Sequence, residues 1–169
     1  MLYLIGFMGV GKTTIGKQLA LQYNIRFIDT DKEIEIITNN SILNIFQSYG
    51  ENHFRKLETE TLKANVKNNI VACGGGLPVY NNKMNFIKKT GVSIYLKASE
   101  DEIFNRLSKD SNNRPLVKNK SDKDIRSFIK ETLNEREQFY SMADYTIDTS
   151  NKSEKDVLRK VNALPFVKI

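Results

Sequence analysis

The sequence predicts an α/β fold with three layers, α/β/α, built on a five-stranded parallel sheet with a P-loop and a flexible lid. Short apolar runs alternate with segments of helical periodicity along the chain, which favours parallel strands joined by right-handed crossovers. A glycine-rich motif at residues 6–13 follows the first apolar run and precedes the first helical segment. The 169 residues, 40% hydrophobic and 27% charged, suit one globular domain over residues 1–169.

Five apolar runs are predicted to be strands because they are short and are bounded by glycine, by polar residues or by helical patterns. They cover residues 2–5, 25–28, 70–72, 92–96 and 145–147. Helices are predicted where apolar residues recur at helical spacing, as Ile15, Leu19 and Ala20 do. These helices cover residues 12–23, 29–37, a segment capped by Ser41, about 51–66, about 85–89, 101–107, 122–140 and a segment capped by Ser153.

Residues 108–121 break this alternation. They are polar and charged and contain Pro115, so the segment is predicted to be a mobile surface loop and a candidate lid. No internal repeat and no linker between domains is visible in the sequence.

Charge and cysteine content narrow the functional classes. The 26 Lys and Arg against 20 Asp and Glu give a net charge of +6, which suits an anionic partner without identifying it. One cysteine, Cys73, and one histidine, His53, exclude a multi-cysteine zinc site and favour a hard metal ion such as Mg²⁺. The apolar stretch from Leu2 to Val10 contains two glycines and lacks a preceding basic region, so we expect a cytoplasmic protein without a membrane partner.

The first motif, Gly6 to Thr13, fits G-x-x-x-x-G-K-[ST] and lies between a strand and a helix. Its backbone N–H groups and the helix N-terminus are suited to phosphate oxygens. Lys12 is expected to reach the β- and γ-phosphates, and the Thr13 hydroxyl to ligate magnesium. The predicted ATP contacts in this segment are Gly9, Val10, Gly11, Lys12, Thr13 and Thr14.

The motif alone does not define a reaction, since P-loop proteins include kinases, switch GTPases and motors. The sequence lacks the Asn-Lys-x-Asp of guanine-selective GTPases, and the chain is too short for most motor ATPases. A kinase acting on a small molecule is therefore the default interpretation.

Two carboxylates, Asp29 and Asp31, follow the second predicted strand, at the edge of the sheet where ligands bind. One could hold magnesium directly or through water, and the other could accept the proton of an attacking hydroxyl. The alternative is that either residue only caps the next helix, a role that is compatible with the functional one.

Four of the seven arginines are candidate ligand-binding residues. Arg55 and Arg136 lie on predicted helices and could each bind a carboxylate through two hydrogen bonds, although an exposed helix face is the simpler interpretation. Arg106 could stack on adenine. Arg114 lies in the predicted lid and could meet the transferred phosphoryl group on closure; the alternative is an incidental residue in a surface loop.

Three consecutive glycines, Gly74, Gly75 and Gly76, follow the predicted strand at residues 70–72. A tight turn needs fewer glycines, so the run indicates close approach of the backbone to a ligand. Neighbouring Cys73 is interpreted as a small buried residue rather than a nucleophile.

In this order, the motifs resemble the shikimate kinase family, and the resemblance covers most of the chain. They are Gly6 to Thr13, Asp29-Thr30-Asp31, Gly50-Glu51 with Phe54-Arg55 and Glu58, Gly74-Gly75-Gly76, Arg114-Pro115-Leu116, and Glu135-Arg136 with Tyr140. The resemblance implies transfer of the γ-phosphate of ATP to the 3-hydroxyl of shikimate, in chorismate and aromatic amino-acid biosynthesis. It also implies a monomer.

Residue roles follow from the same resemblance. Asp31 would bind the shikimate hydroxyls and act as the base, and Asp29 would support magnesium through water. The carboxylate would be held by Arg55 and Arg136. Backbone atoms of the triple glycine, Gly75 or Gly76 in particular, would contact the ring. The acceptor-binding helices would lie at about residues 31–64. The remaining implied contacts are Phe46 and Phe54 at the pocket wall, Arg114 on the phosphates, and Arg106 with residues 149–151 near adenine.

Other functions stay open at this point. A gluconate or nucleoside monophosphate kinase would share the architecture, although paired arginines and the triple glycine favour a compact carboxylate acceptor. A nucleotide-dependent binding or switch protein and a basic RNA-binding module are alternatives from other classes. No strand interleaves aromatic and basic residues as base stacking requires, so we expect no nucleic-acid partner.

Overall fold

Five parallel strands form the sheet, in the order β2-β3-β1-β4-β5. The computed structural model describes residues 1–65, 68–109 and 116–165. The strands are β1 (Leu2–Ile5), β2 (Arg26–Asp29), β3 (Asn69–Ala72), β4 (Val92–Lys97) and β5 (Tyr145–Asp148). The helices are α1 (Lys12–Tyr23), α2 (Thr30–Thr38), α3 (Ile42–Ala64), α4 (Lys83–Thr90), α5 (Glu100–Lys109), α6 (Asp122–Tyr140) and α7 (Glu154–Asn162). The predicted fold class is confirmed.

The central strand β1 is buried on both faces, which explains why it is apolar throughout. Leu2 and Leu4 pack into the core that contains residues of α1, α5, α6 and α7. Tyr3 and Ile5 point to the opposite face and pack with residues of β3 and α4. Alternation along a strand thus divides the interior into two cores, one on each side of the sheet.

The range α3 consists of two helical segments, as predicted, and they meet at Gly50 without a loop between them. The backbone of Gly50 is not helical, with φ 77° and ψ 172°, so the two segments join at a kink. A Cβ at Gly50 would meet nothing within 4 Å, so the backbone conformation rather than lack of space favours glycine. Ser41 caps the first half, because its side chain accepts a hydrogen bond from the Asn44 N–H.

The described ends of the predicted lid are more ordered than a surface loop. Ser108 and Lys109 belong to α5, and Val117, only 1% exposed, packs in the core. Because the segment is mostly polar, its sequence did not indicate that Val117 packs in the core. Residues 110–115, including Arg114, lie outside the described residues.

Four predicted site segments lie at the carboxyl edge of the sheet, each at or after the end of a strand. The P-loop follows β1, Asp29 ends β2, the triple glycine follows β3, and Thr149 follows β5. Parallel strands bring these segments to one side of the molecule. In the described ranges, no helix is both long enough and apolar enough to cross a membrane.

Candidate active site

The P-loop takes a conformation that requires glycine. Gly6 has φ 136°, and a Cβ there would lie 2.5 Å from the carbonyl oxygen of Leu96 on the neighbouring strand. Gly11, at the N-cap of α1, has φ 99°. Lys12 begins the helix, and its ammonium donates hydrogen bonds to the carbonyl oxygens of Gly6 and Phe7, both at 2.8 Å. The loop therefore curls around the lysine and presents the helix N-terminus to the crevice.

Thr13 and Asp29 place two oxygen donors side by side at the P-loop. The Thr13 hydroxyl donates to Asp29 Oδ2 at 2.7 Å. The other oxygen of Asp29 accepts a hydrogen bond from the Lys32 N–H and caps α2, so capping and the site role coexist. A hydroxyl and a carboxylate suit Mg²⁺, which prefers oxygen ligands and keeps several waters. Across the described ranges, no group of three or more His, Cys, Asp or Glu could hold a metal ion.

The triple glycine brings three charged side chains from three helices together. A Cβ on Gly74 would collide with the carboxylate of Asp31 from α2. A Cβ on Gly75 would lie 3.3 Å from Nη1 of Arg136, which extends from α6. On Gly76 it would lie 2.9 Å from Nη1 of Arg55 on α3. The absence of side chains on this segment lets one acid and two guanidinium groups converge on its backbone.

This segment also lies close to the P-loop. The Cβ position of Gly75 lies 3.7 Å from both the Gly6 carbonyl oxygen and the Met8 backbone nitrogen. Gly74 is fixed from below, because its N–H donates to the buried Thr30 hydroxyl at 2.8 Å. The acid and the two arginines therefore converge on a backbone segment that lies beside the P-loop.

Asp31 has the electrostatics of a base. Burial, together with the nearby charges of Asp29 and Glu58, raises the pKa of its carboxyl to about 6, although the charge of Lys12 lowers it. A carboxyl with this pKa is mostly ionised at pH 7 yet accepts a proton more readily than an ordinary aspartate does.

Arg55 is held by a dense set of contacts. Its guanidinium donates to Glu51 Oε1 through Nη2 at 2.8 Å and to Glu58 Oε2 through Nη1 at 2.9 Å. The Tyr80 ring lies under it, with Cζ 3.7 Å from the ring centroid. Hydrogen bonds from Arg55 hold the pKa of Glu51 below its usual range. The guanidinium is thus fixed in orientation at the edge of the triple glycine.

Tyr140 connects the arginine on α6 to the glycine segment. Its hydroxyl, on a fully buried side chain, donates to the Gly75 carbonyl oxygen at 2.6 Å. Burial raises the pKa of Tyr140. The residue lies one helical turn beyond Arg136, so the same helix supplies the cation and anchors the backbone beneath it.

Phe46 and Phe54 lie on opposite sides of the Gly50 kink and pack together, with ring centroids 4.6 Å apart. They form a small core with Ile34 of α2 and Ile45 of α3. This core packs both halves of α3 against α2.

Arg106 connects the P-loop to the segment after β5. Its guanidinium donates to the Gly9 carbonyl oxygen at 3.3 Å and to the Thr149 carbonyl oxygen at 2.9 Å, and it pairs with Glu102. The two segments that the sequence assigned to the nucleotide are therefore joined through this residue.

Sequence reasoning missed two residues of the site, Tyr80 and Lys83. Both follow a 3-10 helix at Leu77–Val79 that was also missed, because Pro78 and the preceding glycines indicate only an interruption. No sequence motif identifies them. Cys73 is buried as predicted, and burial raises the pKa of its thiol.

Taken together, a P-loop, a hydroxyl–carboxylate pair, a buried carboxyl and two guanidinium groups can align a nucleoside triphosphate with a compact acceptor that carries a carboxylate. Phosphoryl transfer needs mainly such positioning and charge stabilisation.

Comparisons with known proteins agree with this geometry. A family model described as Shikimate kinase matches residues 8–164. A shikimate kinase from Caldanaerobacter subterraneus subsp. tengcongensis is 43% identical over 94% of this chain and 91% of its own length. The crystal structure of the Bacteroides thetaiotaomicron shikimate kinase superposes with a TM-score of 0.89, at 32% identity and 95% coverage of both chains.

A third comparison concerns a ligand complex. The structure of the shikimate kinase from Acinetobacter baumannii in complex with shikimate has a TM-score of 0.85 and 33% identity, covering 95% of this chain and 89% of that one. Two of the three comparison proteins are thus solved structures whose fold extends over nearly all of this chain. With a family model over residues 8–164 and relatives of this identity, the chain belongs to the shikimate kinase family, whose members use ATP and a hydroxyl acceptor.

Proposed function

We propose that this chain transfers the γ-phosphate of ATP to the 3-hydroxyl of shikimate, giving shikimate 3-phosphate and ADP, in chorismate and aromatic amino-acid biosynthesis. The observation that carries the proposal is the convergence of Asp31, Arg55 and Arg136 on the triple glycine beside the P-loop. Two cations suit one carboxylate, and the acid suits the neighbouring ring hydroxyls.

On the phosphate side, the backbone N–H groups at the start of α1 bind the phosphate oxygens and Lys12 spans the β- and γ-phosphates. The residues proposed for ATP are Gly9, Val10, Gly11, Lys12, Thr13, Thr14, Arg106 and Arg114. Bound Mg²⁺ would neutralise charge on the β- and γ-phosphates. Thr13 would ligate it directly and Asp29 through water, which fits the 2.7 Å contact of these two side chains.

On the acceptor side, Arg55 and Arg136 hold the carboxylate and the backbone of Gly74, Gly75 and Gly76 contacts the ring. Phe46 and Phe54 wall the pocket through the small core at the kink. In the structure Arg55 donates to Glu51, whose side chain is 49% exposed. The acceptor carboxylate then replaces the exposed carboxylate of Glu51 on Arg55, so its binding does not have to remove water from an unpaired guanidinium.

Asp31 supplies the base. The 3-hydroxyl oxygen forms a bond to the γ-phosphorus, the bond from that phosphorus to the β–γ bridging oxygen breaks, and ADP leaves with the bond electrons. The hydroxyl proton passes to the Asp31 carboxylate, whose pKa of about 6 lets it accept the proton near neutral pH. Lys12 and Arg114 stabilise the charge on the transferred group.

The domain organisation, assembly and location belong to the same proposal. Residues 1–169 form one P-loop kinase domain, with a lid at about 108–121 that carries Arg114, and with acceptor-binding helices at about 31–64. The protein acts as a monomer in the cytoplasm, without a nucleic-acid or membrane partner. Sedimentation at low salt, with and without RNA, tests both the monomeric state and the expectation that the protein does not bind nucleic acid.

A coupled assay of ADP release with Mg²⁺ and ATP tests the reaction. Shikimate, gluconate, AMP and water are compared as acceptors. Release that depends on shikimate is expected. Release only with gluconate or AMP would refute the proposed acceptor, and no release with any of them would refute the proposed kinase activity.

A further inference from the structure

A buried lysine that the proposed reaction does not use lies behind Arg55. Lys83, the first residue of α4, has a side chain only 3% exposed. Its ammonium donates to Glu58 Oε2 at 3.1 Å and to the carbonyl oxygen of Arg55 at 3.4 Å. Glu58 is itself 1% exposed. Burying an ammonium is costly without such partners, so its location requires an explanation.

The same oxygen of Glu58 accepts from both cations. Arg55 Nη1 lies 2.9 Å and Lys83 Nζ 3.1 Å from Oε2. Arg55, Glu58 and Lys83 together carry one net positive charge, whereas Arg55 and Glu58 alone would carry none. In this structure the exposed carboxylate of Glu51 balances that charge, and the acceptor carboxylate would balance it after replacing Glu51. At this burial the charge is weakly screened by solvent and salt, so it acts on an anion bound at the outer face of Arg55.

A turn of two asparagines brings Lys83 and Tyr80 to this position. Asn81 and Asn82 both have φ 54°, the left-handed conformation that asparagine tolerates better than most residues. Tyr80, before the turn, lies under the Arg55 guanidinium at 3.7 Å, while Lys83, after it, reaches Glu58 behind. Residues 80–83 therefore contact the Arg55 group on two sides.

We propose that Tyr80 and Lys83 are positioning residues for the acceptor carboxylate: Tyr80 fixes the plane of the Arg55 guanidinium, and Lys83 offsets Glu58 so that Arg55 keeps its positive charge available to the acceptor. The inference rests on the proposed function, in which Arg55 binds that carboxylate. Neither side chain touches the reacting atoms, so both act on acceptor binding rather than on the chemical step.

The test compares Lys83→Met, which removes the charge at similar length, with Lys83→Arg, which keeps it. Lys89→Met is the matched control, because Lys89 is exposed on the same helix. We expect Lys83→Met to raise the KM for shikimate roughly tenfold or more, to change kcat less than about threefold, and to leave the KM for ATP unchanged. Lys83→Arg should restore the KM to within about threefold, and Lys89→Met should match the wild type.

A neutral acceptor separates positioning from a purely structural role. For the wild type and for Lys83→Met, kcat/KM is measured with shikimate and with its methyl ester. The value for shikimate divided by the value for the ester should be about tenfold lower in Lys83→Met than in the wild type, since the ester presents no carboxylate charge to Arg55. An unchanged ratio, or a KM for ATP that rises together with that for shikimate, would overturn the inference.

Tyr80 provides a second test should Lys83→Met fail to fold. Tyr80→Phe keeps the ring and should stay within about threefold of the wild-type KM, whereas Tyr80→Leu should raise the KM for shikimate about fivefold with ATP unaffected. Equal KM values in both variants would overturn the role of the ring. A wild type inactive on shikimate would refute the proposed function instead, so the two failures are distinguishable.

Discussion

Substitution of Gly74 by alanine isolates the position of the base. Gly74 is not among the glycines with left-handed φ, so alanine adds no backbone strain there. Its Cβ, however, would collide with Oδ1 of Asp31. The carboxylate would have to move by about 1 Å, and a displacement of this size can cost about 100-fold in rate. That factor corresponds to about 2.7 kcal/mol in the activation free energy.

Steady-state kinetics and thermal unfolding of the purified variant test this. We expect Gly74→Ala to lower kcat about 100-fold, with the melting temperature within a few degrees of the wild type, because a short side chain rather than backbone has to move. Gly76→Ala is the matched comparison. Its Cβ would meet the Arg55 guanidinium at 2.9 Å, so the KM for shikimate should rise and kcat should change less. Wild-type kcat in Gly74→Ala would refute the assignment of Asp31 as the base.

The remaining predictions concern charge and metal. Asp31→Asn should remove most turnover yet stabilise the fold at pH 7 by about 2–3 kcal/mol. The reason is that the pKa of Asp31 is about 6 in the folded protein against an ordinary 3.8, so the wild type loses stability as the pH rises from 4 to 6. Denaturant unfolding at pH 4 and pH 7 should show the gain only at the higher pH, and an equal gain at both would contradict this prediction. The kcat/KM of the wild type should fall about tenfold from pH 7 to pH 5 as that carboxylate is protonated, and a flat profile would exclude it as the titrating base. Arg136→Ala should raise the KM for shikimate strongly, about 100-fold, with Arg136→Lys in between; an unchanged KM would argue against carboxylate binding. Thr13→Ala should raise the Mg²⁺ concentration needed for half-maximal rate, whereas Thr13→Ser should not; identical Mg²⁺ titrations would remove Thr13 as a ligand.

Much of the architecture could be predicted from the sequence because local signals and the global fold agree. All four residues of β1 are apolar, and the strand is buried on both faces. The predicted capping residues, Ser41 and Ser153, each accept a hydrogen bond at the start of a helix. The interruption between the two helical patterns at Gly50 was predicted, but their direct junction was not, because one glycine between two helical patterns is equally compatible with a loop.

The candidate site was predictable only where short motifs carry chemistry. The run of three glycines indicated close approach to a ligand, and the structure shows that Asp31, Arg55 and Arg136 also approach it. No sequence motif identified Tyr80 or Lys83 as site residues. Lysine is ordinarily exposed, and the burial of Lys83 depends on Glu58, which is 25 residues away in sequence. Such pairs arise from tertiary packing rather than from local pattern.

The central claim is that the γ-phosphate is transferred to the 3-hydroxyl of shikimate. The most direct measurement is two-dimensional ³¹P–¹H NMR of the product formed from ATP, Mg²⁺ and shikimate by the purified enzyme. A phosphorus resonance coupled to the proton on carbon 3, formed in step with ADP, is the predicted result. Coupling to the proton on another ring carbon, or ADP accompanied only by inorganic phosphate, would contradict the account.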